Sequence, residues 1–307
     1  MTRRGPVLVA LAVAAGALSG CGLGAGDDGG TAALVVQHDF GSERVGRVTQ
    51  TVKSSDTVMR VLQRHFKVKT RYGGGFVQSI GGVAGGHHGG RPVDWFFYVN
   101  GLEATKGAAS TQARGGDSIL WDIHDWGSGD RSAAIVGSFP EPFLHGINGK
   151  KVPLRLECAD AATAACGVVA KNLSAQGIGT ARSAVGTQVS QEVFRLVVGT
   201  WKDVKAADGA SLLPRGPGGS GVFVRPTANG FALLDPTGHT VGRLGAGGGL
   251  VAATKAANQQ ATWLVIGVDD AGTMRAARAL TPRRLAGAFA LAVAPSGDAK
   301  LPLEATR

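Results

Sequence analysis

The stretch RPVDWFFYVNGLEATKGA, Arg91 to Ala108, decides how this chain is read. Trp95, Phe96, Phe97 and Tyr98 stand in a row, in a protein whose aromatic content is only 6%. Side chains alternate along a strand, so Trp95, Phe97 and Val99 point one way and Phe96 and Tyr98 the other. Both faces are apolar. Such a strand is either buried on two sides or exposes one side as a ligand platform. Asn100-Gly101 follows, a favoured two-residue hairpin turn.

The neighbouring segments make this strand part of an α+β module. ALVVQHDF and VGRVTQTVKSS have strand character. SSDTVMRVLQRHF reads as an amphipathic helix. Ser55 or Asp56 can cap it, and Val58, Val61, Leu62 and His65 or Phe66 share one face. FVQSIGGV, after a YGGG turn, and RGGDSILWDIHDW supply further strands. One helix on a sheet of about five strands is a β-grasp-like arrangement, expected over residues 33–130.

Residues 131–294 change pattern. VPLRLEC, VFRLVVGTW, WLVIGV and GAFALAVAP read as strands, and GVFVRPTANGFALLDPTG as a hairpin. DAATAACGVVAKNLSAQG reads as a helix stopped by Gly177. GLVAATKAANQQ and DDAGTMRAARAL read as helices too. Alternating strands and helices predict an α/β layered domain, with residues 295–307 as a frayed tail. RLVVGTWKDV and WLVIGVDDAG are weakly alike, but the match is too short to define a repeat.

The N-terminus sets the compartment. Arg3 and Arg4 precede a short apolar run, Val7 to Leu18, and LSGC ends at Cys21. The run is shorter than the ~20 residues needed to span a bilayer. Residues 1–20 therefore read as an export signal, with Cys21 as the lipidated first residue of the mature chain. Residues 21–32 read as a Gly-rich tether. The expectation is a protein anchored at the extracytoplasmic face of the cell membrane. The net charge of +10 then faces lipid, wall polymer or an acidic ligand, and no nucleic acid. Cys158 and Cys166 remain as a pair, expected to form a disulfide worth about 2 kcal/mol; two free buried thiols are the alternative.

Catalytic motifs are missing. GGSGV lacks the last Gly of a nucleophile elbow, Gly149-Lys150 lacks the rest of a P-loop, and LGAGGGLVAAT fails the dinucleotide pattern at Leu250. A non-enzymatic role without a required cofactor is expected. His87-His88 lies in a Gly-flanked loop. His124 lies between Asp122 and Asp125, as a structural histidine or a ligand contact.

Trp95, Tyr98, Val99, Asn100, Gly101 and Gly107, then Gly116, Asp117, Ile119 and Trp121, resemble the pattern of the transcobalamin C-terminal-like domain family. The resemblance covers about 90 residues. It implies a small β-rich ligand-binding module. In the animal cobalamin carriers the related domain closes over a corrinoid held mostly by a helical barrel, for which this chain has no counterpart. Actinobacterial lipoproteins that carry the domain are similar to accessory surface factors, which implies an importer component as partner. The expected function is capture of a small molecule, a corrinoid or similar planar cofactor. Trp95, Phe97, Tyr98 and Trp121 would supply apolar contact and His124 or the His87-His88 loop a nitrogen. The competing expectation is a structural or adhesive envelope lipoprotein that binds wall polymer or a partner protein.

Overall fold

The structure, a computed structural model, describes Met1 and residues 28–127, 132–188 and 192–304. The expected export signal after Met1, the expected lipidation site Cys21 and most of the expected tether lie outside the described residues. The first unit comprises β1 (Asp28–His38), β2 (Glu43–Lys53), α1 (Val58–Gln63), β3 (Val68–Arg71), β4 (Phe76–Ile80), β5 (Val83–Ala84), β6 (Gly86–His88), β7 (Arg91–Val99), β8 (Leu102–Glu103) and β9 (Ser118–Asp125). Its main sheet runs β2-β1-β9-β7-β6, with β8 paired to β7. β1 and β9 are parallel; β1–β2 and β7–β9 are antiparallel. β3, β4 and β5 form a separate small sheet.

Local chemistry explains this unit. Asn100 (φ 54°) and Gly101 (φ 77°) both adopt left-handed conformations, as the tight turn from β7 to β8 requires. Ala32, Leu34 and Val36 on β1 meet Val58, Val61 and Leu62 of α1 in one core, which Trp95, Trp121 and Ile123 complete. The helix starts differently from the expectation. Its cap is Thr57, whose hydroxyl accepts the Arg60 N–H at 3.3 Å. Asp56 instead accepts the Lys53 N–H and pairs with Arg64, which lowers its carboxyl pKa. His65 is exposed, while Phe66 packs partly against the core. The strand β1 also begins inside the expected tether. Asp28 and Thr31 to Ala32 pair with β2, so residues 28–32 belong to the sheet.

The second part comprises β10 (Leu154–Cys158), α2 (Thr163–Ala175), β11 (Thr180–Ala184), β12 (Phe194–Thr200), α3 (Trp201–Val204), α4 (Pro217–Ser220), β13 (Val224–Thr227), β14 (Gly230–Leu234), β15 (Thr240–Leu244), β16 (Gly249–Thr254), β17 (Thr262–Gly267), α5 (Asp270–Ala279), α6 (Pro282–Leu285), β18 (Ala290–Ala294) and β19 (Gly297–Leu301). A seven-stranded sheet runs β11-β10-β12-β17-β16-β18-β19, and β13-β14-β15 form a meander. The pairs from β11 through β17 are parallel and the rest antiparallel. The whole is an α+β fold. Cys158 and Cys166 form a disulfide.

Two expectations fail here. GLVAAT is a strand, not a helix: every residue of β16 is buried between β17 and β18. Alanine favours helices locally, but a continuous apolar run is also what a strand covered on both faces requires. The expected tail is structured over the residues described, up to 304. β19 pairs with β18, Leu301 is fully buried, and the Leu303 N–H donates to Leu234 O at 3.0 Å.

Asp269 caps α5. One carboxylate oxygen accepts the Gly272 N–H at 2.8 Å and the other accepts the Gly247 N–H at 2.7 Å. These bonds favour the ionised form and hold the carboxyl below its usual range. Asp269→Ala is expected to cost about 1–2 kcal/mol at neutral pH. The sign follows from the depressed folded pKa. The contribution is fully present above the unfolded value near ~3.9 and is lost as pH falls through the folded one. Denaturant unfolding of Asp269→Asn and wild type should therefore converge as pH drops below about 4; a constant gap down to the acid limit contradicts this.

The cores are not divided at the expected boundary. The larger apolar cluster joins Phe40, Tyr98, Leu102 and Leu120 of the first unit to Phe223, Phe289 and the second sheet. The segment 132–147 bridges them. Its Ile135 N–H donates to Gly101 O at 2.8 Å, and Phe139 and Phe143 pack on Trp263.

Candidate functional site: an aromatic cleft on the first sheet

The two faces of β7 have different fates. On the Phe96–Tyr98 face, the second part covers the sheet. The Tyr98 ring meets Phe289 edge-on at 5.5 Å and is 1% exposed. Burial pushes its phenol pKa well above 10. His124 stacks between Phe40 at 4.3 Å and Phe96 at 4.5 Å, and is 2% exposed. Its Nδ1 lies 2.7 Å from Asp122 Oδ1. A carboxylate only accepts, so this nitrogen carries the proton and donates. Asp122 also accepts the Phe40 N–H at 3.1 Å and the Gly41 N–H at 3.0 Å.

Two expected contact residues are therefore misplaced. Tyr98 and His124 are sealed beneath Phe289, and no ligand reaches them while the two parts stay docked. Their physical role is packing and hydrogen bonding across the junction. His87 and His88 are exposed on the edge strand β6, away from the cleft. Among the described residues no group of three or more His, Cys, Asp or Glu is placed to hold a metal ion.

The opposite face carries an open cleft of about 170 Å³. Trp95, Phe97 and Trp121 line it, with Phe76 and Val77 from β4 and Gly107-Ala108 from the loop before β9. Phe97 and Trp121 stack at 4.8 Å and 25°. Trp95 is fixed by its indole N–H, which donates to Val83 O at 3.1 Å. The Trp121 indole nitrogen is buried without a hydrogen-bond partner. Phe76 is 36% exposed and touches the 85% exposed Tyr72 edge-on at 6.3 Å. A side chain at Gly107 would come within 3.2 Å of Gly75 O, so glycine lets the β3–β4 connection approach the floor.

Three of the five expected residues, Trp95, Phe97 and Trp121, line one opening, but Trp95 at 6% and Trp121 at 1% exposure lie beneath it, and of the three only Phe97 is partly exposed. Phe76 and Val77 went unrecognised in the sequence. A Phe directly after three glycines was their only signal, and the β3–β4 turn folds it over a strand 20 residues away only in three dimensions.

A family model described as "Domain of unknown function (DUF4430)" matches residues 55–125. The match spans α1 to β9 and leaves β1, β2 and the second part outside. No curated protein matches the chain. Among solved structures, a metal-binding candidate from Ruminococcus gnavus ATCC 29149 is 12% identical with a TM-score of 0.25, covering 31% of this chain and 97% of its own. Haptocorrin in complex with Cbi is 15% identical with a TM-score of 0.26, covering 32% of this chain and 26% of its own. Among the described residues no helix is long and apolar enough to cross a membrane.

Proposed function

We propose that this protein is a lipid-anchored, extracytoplasmic binding protein that captures a small molecule on the Trp95–Phe97–Trp121 face, without catalysing a reaction. The observation that carries this reading is the open cleft at Phe76 and Phe97, floored by the buried Trp95 and Trp121 rings. The partly exposed Phe97 and Phe76 rings offer the accessible apolar surface, with Trp121 stacked beneath Phe97.

The cleft sets how the ligand sits. Sites that enclose a drug-sized molecule run to roughly 300–1,000 Å³, and about 170 Å³ is smaller. The ligand therefore inserts an edge and leaves its bulk outside. A corrinoid or similar planar cofactor, the finer reading, fits on those terms: a ring edge and its amides contact the cleft, with no histidine to cobalt. The remaining ligand surface is free for a second component such as an importer subunit.

Binding to the folded state raises stability. For a Kd of about 1 µM, ligand at ~100 µM adds about 2.7 kcal/mol. Thermal unfolding of the full chain with cobalamin, cobinamide and haem measures this. Phe97→Ala is expected to abolish the upward shift while Arg182→Ala, on the distant strand β11, retains it. No shift with any of the three ligands removes the planar-cofactor reading. The cover of Tyr98 and His124 by the second part favours a second reading, an adhesive or scaffolding lipoprotein. Salt-sensitive retention on wall polymer with no small-molecule shift selects it.

A further inference from the structure

A second opening lies where the two parts of the chain meet, and its chemistry differs from that of the aromatic cleft. It encloses about 770 Å³, within the range of sites for drug-sized molecules. One wall is built by β1 and β2, the other by the segment 137–141 and the residues around α6. The edges are tied together by Gln37, whose side-chain N–H donates to Gly287 O at 3.1 Å.

Arg44, Arg47 and Arg283 line this opening. On a regular strand, residues three apart face opposite ways. In β2 they do not. Gly46 pairs with Val36 but Arg44 pairs with Gln37, so Val45 is an extra residue. This β-bulge reverses the alternation and turns Arg44 and Arg47 to one side. None of the three guanidinium groups has an acidic partner or a hydrogen bond among the described residues. Lys300 adds a further cation beside Gly287: a side chain there would start 3.8 Å from the Lys300 ammonium. Burial, and then the charge of Arg44, hold that ammonium below its ordinary pKa.

The acids in the lining are already engaged. Asp117 accepts from the Asn100 amide at 2.9 Å and the Arg114 N–H at 2.8 Å. Glu141 accepts from the His145 backbone and ring. The lining also holds Ser138, 5% exposed, whose hydroxyl is buried and has no hydrogen-bond partner. Uncompensated cations and an unused hydroxyl around one cavity are what an oxyanion satisfies, and guanidinium groups match phosphate in a two-pronged geometry.

We infer that this junction cleft is a binding site for a small phosphorylated molecule, held by Arg44, Arg47 and Arg283 with Ser138 donating to a phosphate oxygen. The site is separate from the aromatic cleft, so either can fail without the other.

Equilibrium dialysis of the full chain against labelled pyrophosphate at low ionic strength tests it, with citrate as a competing arm. Saturable binding is expected, displaced by inorganic phosphate and by phosphate esters and weakened by added salt. The triple variant Arg44→Ala, Arg47→Ala, Arg283→Ala should weaken it at least about tenfold. All three side chains are exposed, so folding is retained. A control triple, Arg71→Ala, Lys171→Ala, Arg182→Ala, removes equal charge elsewhere and should leave it within about twofold. Ser138→Ala should weaken binding by roughly tenfold or less at unchanged melting temperature, since it removes an unsatisfied hydroxyl. Binding lost equally in both triples, or none at about 1 mM pyrophosphate, overturns the inference. Displacement by citrate alone reassigns the ligand to a polycarboxylate and overturns the phosphate assignment.

Discussion

Asp122→Ala is expected to lower the unfolding free energy by about 3–5 kcal/mol, as removal of one partner from a buried charged network does. Asp122 is fully buried and holds three donors: the Phe40 N–H, the Gly41 N–H and the His124 ring. Alanine leaves all three without an acceptor, in a place water does not reach. The loss extends beyond the hydrogen bonds. Asp39 (φ 47°) and Phe40 (φ 58°) stand in left-handed conformations, which cost non-glycine residues of the order of 1 kcal/mol each. The carboxylate pins that turn. The turn in turn aims Phe40 at Phe223, 4.9 Å away, and Phe289, 5.0 Å away. Asp122→Asn keeps the shape but presents an NH₂ group to one of the three donors, so an intermediate loss is expected. Urea denaturation of the three proteins measures the series. A loss under about 1 kcal/mol for alanine would falsify the network's role.

Phe289→Ala is expected to cost about 3–5 kcal/mol, the range for truncating a buried phenylalanine. Its ring is 3% exposed and touches Phe40, Tyr98 and His124, all from the first unit. The cavity opens on the junction, so the damage is specific to docking. Two readouts separate this from general destabilisation. The first is Tyr98. Burial holds its phenol in the protonated state well past the usual range, and opening the junction to water should bring the ionisation down toward about 10. The protein has only two tyrosines, so an alkaline ultraviolet titration resolves the change. The second is coupling. Asp122→Ala and Phe289→Ala act through Phe40, and the double variant should lose less than the sum by about 0.5–3 kcal/mol. Strict additivity, with an unmoved Tyr98 titration, would show that Phe289 only fills space.

Both predictions rest on residues whose importance the sequence concealed. WDIHDW identified a histidine beside two aspartates, but not that Asp122 rather than Asp125 takes the ring nitrogen. Phe289 sat in GAFALAVAP as one more apolar residue. Its role depends on Phe40, Tyr98 and His124, which lie 165 or more positions earlier. The same distance hid the arginine cleft. Arg44 and Arg47 stand three positions apart, and only the pairing register shows the bulge that brings them to one side.

Local chemistry was legible where one element suffices. Alternation along DWFFYV separated Trp95 and Phe97 from Phe96 and Tyr98, Asn100-Gly101 fixed the turn, and DTVMRVLQ fixed the helix and its buried face. Cys158 and Cys166 found each other because only eight positions separate them. Tertiary structure decided what covers each surface. It turned GLVAAT into a central strand, because burial on both faces outweighs alanine's helical preference. It also sealed Tyr98 and His124 under Phe289 while leaving Phe97, above the buried Trp95 and Trp121, partly open to a cleft. Side-chain direction follows from adjacent backbone geometry, whereas coverage comes from whichever distant segment packs there, and no local period encodes that.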